Sequence, residues 1–435
     1  MKQGIKIVTV VKIIIVLLVI NYMVITVIFN DNVFLKYLRD IILLIGLFVT
    51  TRLKKIAYSR DILPLIIVVL AVFISFFRTE DTTLAFTYAR RYLFPILVLV
   101  FMYQIQDSWT EKIFTNFCKF LLVFFSAISV WGIFQAWVLG DKFLMKIGYN
   151  TGYLIAYGTN KLNHSFYFGG LGIQRVVSTV SNCNTLALIL GVTLIFFIGC
   201  YKKLQIKWKN MYLILVVAAY ILTFSRSNFL GMIVAVVFVL YPYIPHKKVI
   251  ALTLLVFILS LVVLYFVQGS NGLVYKLVNW ANNSLNFTES SAAGRMSRWT
   301  DGLNQMMSNP FGKGFGTVGS IARDAGVDFT AAENSYLAMA IDFGIIGMLA
   351  YVTFFIVIYR KFKRCSTKRD GVAIDNKGLA KSIQAIVVYL LVSMFFSNYI
   401  YGMEAISIIY IYIGVASAIC FKNKYSLHNN NYMGA

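Results

Sequence analysis

Long apolar runs separated by short polar or charged punctuation dominate the chain. They fall at 13–29, 33–50, 62–77, 84–103, 113–137, 185–201, 211–224, 228–243, 249–267, 335–358, 383–398 and 405–421. A membrane crossing by a helix takes about 20 apolar residues, so the pattern predicts about twelve transmembrane helices. Only a helix satisfies its own backbone within such a run, which makes the expected fold all-α, a polytopic integral membrane protein. The connections divide it further. Residues 1–138 hold the N-terminal transmembrane helices and 139–184 a first outer loop. Residues 185–267 hold the central helices and 268–334 a larger outer loop, partly helical on either side of Gly294. The C-terminal helices and a cytoplasmic tail take 335–435.

Composition supports this and narrows the function. Of the 435 residues, 59% are hydrophobic and 13% charged, with a mean hydropathy of +0.76; a soluble globular chain carries about 25% charged residues. Soluble enzymes, nucleic-acid binders and secreted disulfide scaffolds are excluded as whole-chain readings. The formal charge of +23, from 40 Lys and Arg against 17 Asp and Glu, is explained by loop topology. With the N-terminus inside, roughly 25 of the basic residues fall on or beside cytoplasmic connections, including Arg360, Lys361, Lys363, Arg364, Lys368 and Arg369. The basic N-terminal run reads as an uncleaved first span. The five cysteines have no paired spacing and are expected as free thiols.

Arginines near the outer ends of spans are the most informative residues. Arg226 sits in Phe224-Ser225-Arg226-Ser227-Asn228, a polar break at which two spans must turn. Arg175 lies late in the first long loop. Arg295 and Arg298 are three apart before Trp299, hence on one face if helical. Arg90 and Arg91 interrupt the fourth predicted span, whereas Lys36 and Arg39 beside Asp40 read as an ordinary interfacial group. A charge at the membrane costs several kcal/mol unless paired or solvated, which makes these residues functional candidates. Guanidinium forks match phosphate oxygens two at a time, so several converging on one cavity suit a diphosphate. For acid–base work the outer side offers Glu333, where the second loop enters a span, His164 in the first loop, and the weaker Glu404. There is no Asp-x-Asp and no His/Cys/Asp/Glu cluster at ligand spacing, so no metal or cofactor is expected. Gly312-Lys313-Gly314-Phe315-Gly316 lacks the Lys-Ser/Thr of a nucleotide loop and falls on the outer side, where nucleotides are scarce; a lipid-linked donor fits better.

In order along the chain stand Arg175 with Ser181-Asn182-Cys183-Asn184-Thr185-Leu186-Ala187, Ser225-Arg226-Ser227, Gly294-Arg295 with Arg298-Trp299, Asn309-Pro310-Phe311-Gly312-Lys313-Gly314-Phe315-Gly316, and Glu333-Asn334-Ser335-Tyr336-Leu337 followed by Phe343-Gly344-Ile345-Ile346-Gly347. From Arg175 to Tyr351 this resembles the superfamily of O-antigen ligases and Wzy-type O-antigen polymerases. The resemblance implies an inverting, metal-independent transfer of a glycan from an undecaprenyl-diphosphate donor to an acceptor hydroxyl, in the bacterial plasma (inner) membrane; the distribution of basic residues puts both termini in the cytoplasm. Carried over, Arg175, Arg226 and one of Arg295 or Arg298 would bind the diphosphate, and Glu333 would be the base. Ligases usually have His at that last position, so Glu333 favours a polymerase of surface polysaccharide. Tyr336, Trp299, Asn334, His164, Glu404, Arg90 and Arg91 are further candidates for substrate contact. The implied partners are the lipid-linked oligosaccharide, membrane lipid and a chain-length regulator protein, with no nucleic acid. Two other readings stay open: a ligase moving finished polymer to a lipid acceptor, and a transporter of lipid-linked sugars. A transporter needs ionisable residues deep in several spans, and beyond Arg90, Arg91 and Asp342 there are few.

Overall fold

The computed structural model describes residues 15–20, 33–53, 60–140, 143, 167–168, 173–180, 182–240, 290–319, 333–367 and 374–421. The expected span at 249–267, most of that at 13–29, and His164 lie outside these residues. The regular structure of the described residues is helical apart from a short hairpin, β1 (Tyr167–Phe168) antiparallel to β2 (Ile173–Gln174). The helices are α1 (Val33–Leu53), α2 (Leu63–Arg78), α3 (Thr82–Gln104), α4 (Glu111–Phe134), α5 (Cys183–Cys200), α6 (Lys209–Leu222), α7 (Arg226–Ala235), α8 (Ser290–Ser308), α9 (Ser335–Thr367), α10 (Ile374–Phe396) and α11 (Met403–Cys420). Among the described residues six helical stretches, those of α3, α4, α5, α9, α10 and α11, are long and apolar enough to cross a membrane, with α2 and α6 shorter apolar helices. The protein is thus a multi-pass membrane protein. The chain is helical around Gly294, as α8.

Side-chain caps start the spans where apolar sequence begins. Asp81 accepts from the Thr83 and Leu84 amides ahead of α3, Thr110 from Ile113 ahead of α4, and Asn182 from Asn184 ahead of α5. Consecutive spans run up and down, which separates two ends. At one, Lys361 pairs with Asp61 and Lys203 with Glu111. At the other lie the starts of α5, α7, α9 and α11 and the ends of α2, α6 and α10. The core sits around α5, α10 and α11, the last buried almost along its length. Helices approach closely at small residues, as membrane packing favours: Gly191 of α5 and Gly231 of α7 both abut Tyr389 of α10.

The expected span at 335–358 is broken. Phe343 (φ −132°, ψ 19°) and Gly344 (φ 88°, ψ 162°) leave helical geometry, so that Ser335 to Asp342 forms a short arm before the long helix resumes. Segment 309–316 docks into this break. The Lys313 and Gly314 amides donate to the carbonyls of Ile341 (2.7 Å) and Asp342 (3.2 Å), and the Ile345 amide donates to Pro310 (3.0 Å). Backbone meets backbone here. A Cβ on Gly344 would lie 2.8 Å from the Phe311 carbonyl carbon, and one on Gly312 would lie 2.7 Å from the Gly344 nitrogen. Glycine at 344 is required twice over, because its φ and ψ fall in a region that other residues avoid.

Candidate functional site

At the end away from the paired lysines, the chain reverses between α6 and α7 at Thr223-Phe224-Ser225. Phe224 takes a positive φ of 47°, a conformation costing a bulky residue on the order of 1–2 kcal/mol. The turn is held by its neighbours: the Val176 amide donates to Leu222 O at 3.0 Å, and Arg175 Nε donates to Thr223 O at 2.7 Å. The other side of the Arg175 guanidinium donates to Asn184 Oδ1, at the start of α5, at 2.7 Å. Arg226 opens α7 directly after this turn, half-buried. Arg175 and Arg226 are therefore brought together by one reversal.

A buried polar network links that reversal to Glu333. Asn228, fully buried, places its amide nitrogen 3.1 Å from Asn184 O, 2.8 Å from Ser225 Oγ and 2.6 Å from the Tyr399 hydroxyl, and its oxygen accepts from the Tyr389 hydroxyl at 2.8 Å. The Tyr399 hydroxyl also lies 3.2 Å from Ser227 Oγ. The Tyr399 amide donates to Ser335 Oγ at 2.8 Å, and that hydroxyl donates to Ser397 O at 2.9 Å. Ser335 is two residues from Glu333. The residues beside Arg226 thus touch turn 397–402, and this turn touches the start of α9. Burial pushes the Tyr399 hydroxyl above the usual tyrosine range, while its serine and asparagine partners pull it back.

Arg298, on α8, forms an ion pair with Glu333. Both side chains remain partly exposed. Trp299 beside it packs edge-on against Phe395 (5.1 Å between centroids) and tilted against Phe396 (6.2 Å) at the end of α10. Asn334 is the N-cap of α9: its Oδ1 accepts from the amides of Tyr336 (2.8 Å) and Leu337 (3.2 Å). The Tyr336 hydroxyl donates to Leu391 O at 2.6 Å, tying α9 to α10. Arg295 lies on the same helix as Arg298. Among the described residues no three His, Cys, Asp or Glu side chains converge as a metal site.

The other candidates lie on the far side of turn 397–402. Arg90 is paired with Asp40 and sits 4.5 Å from the Tyr37 ring. Arg39 lies 3.6 Å from both Asp40 and Glu404. Arg91 donates to Tyr401 O at 2.9 Å. These groups form an ion network between α1, α3 and α11. Sequence reasoning missed two features. Turn 397–402 carries no charge, only its Ser-Asn-Tyr polarity between two spans. Arg78, ending α2, donates to the carbonyls of Phe311 (2.8 Å) and Gly312 (3.2 Å), and so fastens the docked loop; nothing in the hydropathy pattern singles it out.

No curated protein matches the chain. Residues 211–352 match the Wzy_C family, described as O-antigen ligase. The match spans α6, α7, α8 and the break in α9, and with them Arg226, Arg298 and Glu333. Over these residues, about a third of the chain, the protein is similar to the O-antigen ligase family.

Proposed function

We propose that the protein joins undecaprenyl-diphosphate-linked oligosaccharide repeat units into O-antigen or a related surface polysaccharide, on the outer face of the bacterial inner membrane. The observation that carries this reading is the Arg298–Glu333 ion pair at the mouth of α9, joined through Ser335 and Tyr399 to the residues flanking Arg226. Anion-binding groups and a carboxylate share one end of the bundle inside the family's domain.

In the proposed reaction the acceptor sugar hydroxyl attacks the anomeric carbon of the donor. The new C–O bond forms as the bond to the diphosphate breaks, and the leaving group departs with that electron pair. The hydroxyl proton passes to the Glu333 carboxylate. Charge developing on the diphosphate is stabilised by Arg175, Arg226 and Arg298. The resting ion pair has a role in the order of events. A donor diphosphate arriving at Arg298 competes with Glu333 for the guanidinium, and a partly exposed pair is worth only about 0–1 kcal/mol. Exchange is therefore easy, and donor binding frees the carboxylate that the acceptor needs.

The test is reconstitution of purified protein with lipid-diphosphate-linked repeat units, read as chain length on a gel. Wild type should give a ladder. Arg226→Ala should slow elongation by about 10²–10³, and Glu333→Gln by about 10²–10⁴. A full-rate ladder from either variant at matched protein level removes that residue from the chemistry. The family's description also supports a ligase. In that case repeat units alone give no ladder, and product appears only when a separate lipid acceptor is supplied.

A further inference from the structure

Helix α8 has three faces, and only two are explained by the site. Toward the bundle it presents Arg298, Trp299, Gly302, Gln305 and Met306, all buried or half-buried. At about 100° per residue, Met296, Leu303 and Met307 fall within one sector of about 40° elsewhere on the helix, and all three are exposed, Met307 at 73%. Ser297, Asp301, Asn304 and Ser308 occupy a third sector, also exposed. A helix with one side to protein and one to water does not need an apolar stripe between them. That stripe needs an apolar solvent.

Beyond α8 the stripe leads to a second exposed apolar surface, on α2. Phe311, just beyond α8, is 68% exposed, and its carbonyl is held by Arg78. Next to Arg78 on α2 is Phe77, 70% exposed. It tops a row of exposed Leu63, Ile66, Ile67, Leu70, Phe73 and Ile74 along that apolar helix. Arg78 and Lys313, both exposed, sit where this row ends and the docked loop begins. Cations above an aromatic and aliphatic band are the pattern of a membrane–water boundary.

We propose that α8 lies in the membrane–water interface beside the site, with Met296, Leu303, Met307 and Phe311 among lipid chains and Ser297, Asp301, Asn304 and Ser308 in water. The bound partner is the bilayer itself. The inference is independent of the transfer reaction, since it rests on exposure and on the exposed apolar row of α2. Its consequence is that Arg298, on the bundle face of the same helix, stands at headgroup depth, where the phosphates of any membrane lipid travel.

Nitroxide labels test the placement in the full-length protein. All five native cysteines are buried, so single Cys substitutions at exposed positions label selectively, with the parent protein as background. Met296→Cys, Leu303→Cys and Met307→Cys, and separately Ser297→Cys, Asn304→Cys and Ser308→Cys, would be labelled in phosphatidylcholine–phosphatidylglycerol nanodiscs. Collision with oxygen, which concentrates in lipid, is compared with collision with a water-soluble nickel chelate. Oxygen should dominate at the first three positions and the chelate at the second three. Chelate dominance at 303 and 307 would put the stripe in water, and inaccessibility to both reagents would mean that protein covers it. Either result overturns the proposal. Because all six positions are exposed, a failure to fold at one leaves the contrast measurable at the others.

Discussion

Asn228 shows how much depends on one side chain that performs no chemistry. Its two amide protons are shared among three acceptors, and its oxygen receives Tyr389. Replacing it with Ala removes a partner from each tyrosine hydroxyl, leaving Tyr399 with Ser227 and Tyr389 with the Ala187 carbonyl, and opens a small void, at a cost of about 1–3 kcal/mol. Thermal unfolding in detergent should show the loss, and elongation should fall with it, because Arg226 stands two residues away. Wild-type stability would mean that the network does not hold the arginine. Tyr399 makes a separate, pH-dependent statement. Its hydroxyl is held above the ordinary value of 10.0 by burial. The unfolded chain therefore ionises first as pH rises, so this contribution is complete below about pH 10 and is lost as pH climbs toward the folded value. Tyr399→Phe should lose less stability than wild type between about pH 9 and about pH 11. Identical slopes would show that the hydroxyl is not protected.

At the scale of elements, the joint between segment 309–316 and the broken α9 decides whether α8 is held over the site. Gly344→Ala forces a side chain into φ 88° and against the Phe311 backbone. The backbone conformation alone costs about 1–3 kcal/mol, and the collision adds to it. The loop should undock, and protease should cut 309–319 in the variant while sparing wild type. Unchanged cleavage would mean that docking does not depend on this close approach. The sequence announced part of this arrangement. The polar break at Phe224 to Asn228 read directly as a turn, and helical structure around Gly294 followed from its flanks. The break at Phe343-Gly344 stayed hidden because apolar residues continue on both sides, and hydropathy does not register φ. Its one trace is Asp342, a fully buried carboxylate whose Oδ2 accepts from the Tyr92 (2.7 Å) and Tyr401 (2.6 Å) hydroxyls. The connection between the last two spans was legible, but the contacts of turn 397–402 stayed hidden for the opposite reason: its work is done by backbone groups and hydroxyls, which no spacing rule marks.

For the whole molecule, the two ends carry different chemistry, and the functional proposal depends on which side each faces. One end holds Lys202, Lys203, Lys207, Lys209, Arg360, Lys361, Lys363 and Arg364; the other presents the Arg298–Glu333 pair and the docked glycine loop. Basic residues gather on cytoplasmic connections, so the lysine end should face the cytoplasm and the arginine site the outer side. Lys313 and Lys207 are exposed at opposite ends, and the native thiols are buried, so Lys313→Cys and Lys207→Cys can be read separately. A membrane-impermeant maleimide added to cells with a permeabilised outer membrane should label Lys313→Cys, and should reach Lys207→Cys only after lysis. The reverse pattern would place the arginines beside cytoplasmic nucleotide sugars. A lipid-linked donor would then no longer be the natural source of the diphosphate, and the polymerase proposal would fall even if every contact within the site were correct.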